Sequence, residues 1–325
     1  MNGLIRILRN WTLPVAIAVG TGLYLLFAYL PWLASPASVL GPICERLLPI
    51  TIFFTLLISF SKVDYHLMRL HRWQALVLGA QLLLIGLLTT AVLLLPSEAI
   101  ASKPLLEAVL VCVIAPCAVA SPIVTAKLGG DLTQMTTFVL ASSLLTSLLI
   151  PIVFPMLEPG QDASFLSTFL TILRKLGMVL LLPLVLGFII RHREGKLYRW
   201  FVSVPDLSFY CWAVSLAITS GITIKNILGS QSGVYILLAI ALLSLLTALG
   251  QFRLGRLIGR LCGTGAFVEC ICPGQGMFQK NTGLAIWIAY TYLSPTSSIG
   301  AGCYVLWQNL INSYELWRHR TREEI

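Results

Sequence analysis

The sequence predicts an all-α membrane protein of ten transmembrane helices, arranged as two inverted five-helix repeats in which spans 4 and 9 are broken and cross. Three observations carry this. The chain is 57% hydrophobic and only 11% charged, with a mean hydropathy of +0.88, whereas a soluble domain has about 25% charged residues. Its basic residues fall on alternate sides of the predicted spans. Two apolar segments are interrupted by Pro and Gly at matching places in the two halves: Val113 to Asp131, through Pro116, Ser121 and Pro122, and Cys272 to Gly283, through Pro273, Gly274 and Gly276. Pro116 and Pro273 lie 157 positions apart (273 − 116), close to half of 325. A helix broken inside lipid leaves N–H and C=O groups unpaired, at several kcal/mol each, so such breaks are tolerated only where buried or beside a water-filled cavity. Two of them at one repeat distance point to a secondary transporter built from inverted repeats.

A span needs about 20 apolar residues, and the chain, read as a single membrane domain over 1–325, offers ten such segments. Span 1 (11–33) follows Arg6 and Arg9 and precedes the cleavage-like Ala34-Ser-Pro-Ala37, but it is longer than a signal-peptide core and reads as a retained helix. Span 2 (39–61) has the charge pair Glu45 and Arg46 near its start. Span 3 (73–95) carries a lone Gln81, whose four hydrogen-bonding positions require the bundle interior. Span 4 (104–127) begins beside Lys103 and Glu107 and holds the first break, with Ser121 and Thr125. Span 5 (132–156) opens with Thr133, Gln134, Thr136 and Thr137, polar side chains whose hydroxyls either face a site or bond back to their own helix. Span 6 (167–190) starts the second half, and Phe169 to Lys175 loosely echoes Leu4 to Asn10. Spans 7 (205–227) and 8 (232–252) follow. Span 9 (262–292) contains Glu269, the second break, and Gln275, Gln279, Lys280, Asn281 and Thr282. Span 10 is 297–317.

Charge tests the count. With the N-terminus in the cytoplasm, the inner segments hold Arg6, Arg9, Lys62, Arg69, Arg72, Lys127, Arg191, Arg193, Lys196, Arg199, Arg253, Arg256, Arg260, Arg318, Arg320 and Arg322, sixteen of the 22 basic residues. The outer ends hold Lys103, Arg174, Lys175 and Lys225. This bias places both termini in the cytoplasm of a plasma or inner membrane and accounts for the net charge of +9 without a nucleic-acid partner. Five spans per half then insert the second half upside down relative to the first.

An ammonium such as that of Lys280 is expensive at mid-membrane unless paired or hydrated. Two readings stand: a cation at the substrate or ion site, or a structural partner of Glu269. Half-helix N-termini at the breaks suit an anionic substrate group. The eight cysteines read as buried thiols, and Cys270-Ile-Cys272 lacks zinc spacing and a nearby histidine. His66, His71, His192 and His319 lie in or beside inner loops. No catalytic triad, HExxH, phosphate loop or dinucleotide fingerprint is present, so neither an enzyme nor an organic cofactor is expected.

Three places resemble the bile acid:sodium symporter family, whose wider superfamily includes arsenite exporters and auxin carriers: Ala80-Gln81 in span 3, Ala115 to Asp131 at the first break, and Lys280-Asn281-Thr-Gly-Leu-Ala285 at the second. The resemblance implies a panel of spans 1, 2, 6 and 7 (11–61 and 167–227) and a core of spans 3–5 and 8–10 (73–156 and 232–317). A small organic anion would bind between them and cross by alternating access. It also implies sodium sites, which this chain matches incompletely. Ser121 is kept, but Pro122 replaces an Asn, and the span 5 hydroxyl positions become Met135 and Val139. The expected Glu and Gln become Gly276 and Lys280 in one register, or Gln275 and Gln279 in another. Gln81, Ser121, Gln275 and Gln279 remain as candidate sodium ligands, without a carboxylate. The sequence thus supports an anion transporter with weak or lost sodium coupling and Lys280 as internal counter-charge. The rivals are a carrier-fold receptor that does not transport and a symporter with a rebuilt ion site.

Topology follows from the charge bias. Reporter fusions placed after Lys103 and Lys225 should report the outside, and fusions after His71 and Lys196 the inside; one reversal among the four breaks the ten-span arrangement.

Overall fold

The computed structural model describes residues 12–96, 99, 102–158, 164–204, 207–263 and 267–323. Among them there is no strand, and the chain is helical nearly throughout. In order, the helices are α1 (Thr12–Tyr29), α2 (Ala34–Ser61), α3 (Arg72–Leu93), α4 (Lys103–Ile114), α5 (Ser121–Lys127), α6 (Leu132–Leu157), α7 (Phe165–Leu176), α8 (Leu182–Arg193), α9 (Lys196–Ser203), α10 (Leu207–Gly229), α11 (Val234–Cys262), α12 (Phe267–Phe278), α13 (Thr282–Tyr292) and α14 (Pro295–Glu323). Six stretches are long and apolar enough to cross a membrane by length and composition: Val39–Ser61, Arg72–Leu93, Leu132–Leu157, Phe165–Arg193, Leu207–Gly229 and Val234–Cys262. Rows of Leu, Ile and Val stand exposed on α1, α3, α6 and α11. In water such surfaces would drive aggregation; facing lipid they are the expected exterior of an all-α, multi-pass membrane protein.

The broken spans are each two short helices. α4 and α5 are separated by residues 115–120, and α12 and α13 by residues 279–281. The second break therefore lies later than Pro273, which sits inside α12 together with Gly274 and Gly276. Those glycines serve packing instead: a Cβ on Gly276 would lie 3.0 Å from the Phe138 ring and 3.2 Å from Trp73, and one on Gly274 would lie 2.9 Å from Arg256 Cγ.

Span 8 was expected to end at 252, but α11 runs ten residues further, to Cys262. Arg253, Arg256 and Arg260 ride on a helix that must continue because its far end is the packing surface for α12. A Cβ on Gly255 would collide with the Pro273 carbonyl. α7 and α8 form one continuous span through a π-helical turn at Gly177–Leu181, just before Pro183, whose missing N–H breaks the regular ladder. The segment expected as a loop at Lys196 is the short helix α9, with Phe201 turned inward and Leu197 and Trp200 outward.

Contacts sort the two ends of the bundle. One end, rich in basic residues, has Lys62 Nζ donating to Val204 O at 3.1 Å, Arg191 within 3.8 Å of Asp64, Trp73 Nε1 donating to Gln134 Oε1 at 2.8 Å and Arg256 on Glu315 at 2.5 Å. The other has Lys225 on Glu45 at 2.7 Å, Tyr290 OH donating to Glu45 at 3.3 Å, Lys103 on Glu158 at 2.6 Å and Asn226 donating to Ser298 at 2.8 Å.

The close approach of α11 and α12 makes Gly255 sensitive. Gly255→Val should destabilise the protein by about 1–3 kcal/mol through overpacking. Gly250→Ala, where a new Cβ meets nothing within 4 Å, should be neutral or stabilising by up to about 1 kcal/mol. Thermal unfolding in detergent compares the two directly.

Candidate functional site: the crossing of two broken helices

The residues between the half-helices pair antiparallel. Ala118 N–H donates to Gln279 O at 2.9 Å, and Asn281 N–H donates to Pro116 O at 2.8 Å, with Cys117 opposite Lys280. These facing residues lie 163 positions apart (280 − 117), again half the chain. An interrupted helix strands its last carbonyls, and here each from 112 to 116 receives a donor from elsewhere in the bundle. Gln251 Nε2 on α11 reaches Cys112 O at 3.4 Å. Gln81 Nε2 on α3 reaches Val113 O at 2.9 Å and Ala115 O at 3.3 Å. Thr146 Oγ1 on α6 reaches Ile114 O at 3.1 Å, and Pro116 O is taken by Asn281. The loop's own Cys117 N–H donates to Ser142 Oγ at 3.0 Å. On the second break, Tyr304 OH donates to Phe278 O at 2.7 Å, and Gln308 brackets Lys280, accepting its N–H at 2.7 Å and donating to its carbonyl at 3.4 Å.

Lys280 is 1% exposed, and its Nζ donates to Val113 O at 3.1 Å. The ammonium thus stands at the C-terminal end of α4, where the helix dipole favours a cation. Val113 O accepts two donors, Gln81 and Lys280. The Nζ turns to α4; the side chain of Glu269, the other partner considered, lies outside the described residues.

The other face of the crossing lines a small cavity of about 20 Å³. Its wall is Ala118, Val119, Asn281, Thr282 and Gly283 on one side, and Ile52, Thr55 and Leu56 of α2 with Trp212, Ser215, Leu216 and Thr219 of α10 on the other. Val119 also borders a larger cavity of about 420 Å³ that extends toward the basic end between Phe60, Lys62, Asp64 and Met68 on one side and Pro122, Ile123, Thr136 and Val139 on the other. Asn281 caps α13, its Oδ1 accepting from Leu284 N–H at 3.2 Å.

A sequence model of the SBF-like CPA transporter family matches residues 15–272. The chain belongs to that family. No curated protein matches it. As an SBF-like CPA transporter it is a membrane transporter, in keeping with the resemblance to bile acid:sodium symporters. The match spans the first break and ends within α12.

In this SBF-like CPA transporter, Gln81, Ser121, Gln279, Lys280 and Asn281 all meet at the crossing. Ser121 Oγ lies 3.1 Å from Cys117 Sγ. Gln275 and Gln279 hydrogen-bond each other at 2.5 Å. Thr125 is fully buried with its hydroxyl unpartnered, packed beneath Gly130. Thr282 lines the small cavity. Thr136 and Thr137 bond back to Leu132 O at 2.7 Å and Thr133 O at 2.9 Å. Thr136 touches only the larger cavity, and neither hydroxyl bonds to a break. Cys272 Sγ accepts from Asp131 N–H at 3.2 Å, and among the described residues no three His, Cys, Asp or Glu side chains gather as metal ligands.

Ser142, Thr146, Gln251, Tyr304 and Gln308 at the crossing, and Thr55, Ser215 and Thr219 across the cavity, escaped the sequence reading. A signal existed for two: Ser142 and Thr146 stand at i and i+4, one face of span 5.

Removing Gln308 tests the importance of the bracket. Gln308→Leu leaves the buried Lys280 N–H unpaired, although the Lys280 carbonyl keeps its bond from Thr282 N–H, and should cost about 1–3 kcal/mol. Thr136→Ala should stay within about 0.5 kcal/mol. Thermal unfolding in lipid nanodiscs measures both.

Proposed function

We propose that the protein is a secondary active transporter of a small organic anion, with ten spans in two inverted five-helix repeats and both termini in the cytoplasm. Spans 1, 2, 6 and 7 form the panel and spans 3–5 and 8–10 the core, and their relative movement gives alternating access. The observation that carries this is the antiparallel crossing of the two breaks at the wall of a cavity, opposite α2 and α10. Charge bias assigns the basic end to the cytoplasm. The larger cavity opens toward that end, and contacts such as Asn226–Ser298 close the other, the arrangement of an inward-facing state.

The anion reading rests on the cavity wall. It offers the N-terminal turn of α13, the Thr282 hydroxyl, an amide from Asn281, and apolar surface from Ile52, Leu56, Trp212 and Leu216, with no carboxylate; the Thr55 and Thr219 hydroxyls donate back to their own helices and Ser215 to Thr51 or Cys211. A helix N-terminus favours a carboxylate ligand, and Lys280 adds a fixed positive charge just behind the crossing. Gln81, Ser121, Gln275 and Gln279 supply no negative charge, and the Lys280 ammonium already sits on Val113 O. A fixed cation there does the electrostatic work of a mobile one, so sodium coupling is weak or lost.

Uptake by proteoliposomes of a panel of organic acids, with and without sodium and a pH gradient, tests this. Saturable uptake with little sodium dependence is expected; a steep sodium requirement would show that a sodium site has been rebuilt, and binding without uptake would make the protein a receptor. Lys280→Met keeps the Gln81 bond to Val113 O, so it should fold and insert yet lose uptake. Lys280→Arg should fail as well, because a planar guanidinium does not fit a compact ammonium's place. Full uptake by Lys280→Met ends the counter-charge reading.

A further inference from the structure

A second buried charge is not used by that reading. Glu107 lies on α4 two turns before the break and is 1% exposed. Its Oε2 accepts a hydrogen bond from Ser297 Oγ at 2.5 Å. Its Oε1 is buried without a hydrogen bond and lies 3.6 Å from Lys103 Nζ. Lys103 is already committed, donating to Glu158 Oε1 at 2.6 Å and to Leu157 O at 3.1 Å. One ammonium therefore serves two carboxylates, and Glu107 holds the poorer share.

Its position in the fold is unusual for a structural charge. Ser298, the residue after its hydrogen-bond partner, accepts from Asn226 Nδ2 of α10 at 2.8 Å in a buried contact. Around that bond the helices touch without spare room: a Cβ on Gly300 would lie 2.6 Å from that of Ala108, and one on Gly302 would collide with Thr223. Ala108, Ile240 and Ile299 pack with Ile227 of α10. The carboxylate is thus one residue from the seam by which the panel closes on the core at the end opposite the large cavity. Among the described residues, the titratable groups around it are Lys103 on its own helix, Glu158 at the end of α6 and Cys303 on α14. α10 contributes Asn226 and turns Lys225 to Glu45, while α11 contributes Ile240.

Parting panel from core there would open a route for water to the carboxyl. A carboxyl whose hydration differs between two conformations has a different proton affinity in each, and by linkage its protonation biases which conformation is populated. We propose that Glu107 is a proton-binding site whose occupancy is coupled to the α10–α14 seam. The inference rests on the transport reading above, but its test does not require a known substrate.

The full chain is placed in lipid nanodiscs with genetically encoded spin labels at Leu228 of α10 and Leu306 of α14, both exposed. An ionised carboxylate gains more from water than a neutral acid, so the long-distance population should rise severalfold from acidic to alkaline buffer. Over the same range, the infrared difference spectrum should lose the band of a protonated buried carboxyl. Glu107→Gln keeps a partner for Ser297 and should abolish both responses; Glu158→Gln should keep both. Ser297→Ala, which removes only the hydrogen bond, should move the midpoint. A distance independent of pH in the wild type, a response that survives Glu107→Gln, or an unmoved midpoint in Ser297→Ala overturns the proposal. An intact pH response in a protein that takes up no organic acid would overturn the transport reading instead.

Discussion

Backbone hydrogen bonding in the absence of water governs this structure. A continuous membrane helix satisfies its own peptide groups; two helices stopped in mid-bundle cannot. The sequence answers with at least one donor for each stranded carbonyl, drawn from α3, α6, α11 and the opposite break. Gln81, Gln251, Thr146, Lys280 and Asn281 all end on carbonyls between Cys112 and Pro116. That demand explains why long apolar helices each carry one or two polar residues at a single depth, and why those residues point inward. It also ties α3, α6, α11 and α14 into one unit around the crossing, because moving any of them would strand a buried peptide group at about 1–3 kcal/mol. α2 and α10 face the same crossing across a cavity and supply none of these bonds.

Much of this was legible in the sequence. Composition and span length gave the membrane class, and the run from Val113 to Pro122 placed the first break within a residue or two. A lone Gln81 in an apolar helix and a Lys280 at mid-span were each too costly to be incidental, and both sit at the crossing. Pro273 misled because proline breaks a soluble helix more reliably than a packed membrane helix, where neighbours re-satisfy the freed carbonyl. The actual break, Gln279-Lys280-Asn281, carries no proline or glycine. Ser142 and Thr146 were passed over because membrane-helix hydroxyls usually bond back to their own helix, as Thr136 and Thr137 do. The extra turns of α11 were hidden by Arg253, Arg256 and Arg260. Arginine marks the end of an apolar stretch, yet its long side chain reaches the interface while its backbone stays helical.

The two ends of the bundle are closed by different chemistry. At the basic end the large cavity separates Phe60 and Met68 from Pro122 and Val139, and the ionic contacts lie around its rim. At the other end closure is by direct apposition, glycines of α14 against α4 and α10, with a hydrogen bond between Asn226 and Ser298. Glycine contacts of this kind leave no room for a side chain between the backbones.

Lys280 shows why the crossing is more than a structural joint. Capping Val113 O does not need a charge, since Gln81 already donates to the same carbonyl and a second amide would serve at lower desolvation cost. A buried ammonium costs several kcal/mol more than a neutral donor unless something repays it. The dipole of α4 repays part, on the order of 1–2 kcal/mol in a partly buried geometry, and no carboxylate among the described residues pairs with it. On the anion reading proposed above, a bound anion offsets the remaining charge. A cavity wall ending in Asn281, Thr282 and Gly283, directly after Lys280 in the chain, is where such an anion would stand. On the proposed anion reading, Lys280 is therefore placed to favour an anion at the start of α13, while the Gln81 amide alone keeps Val113 O paired.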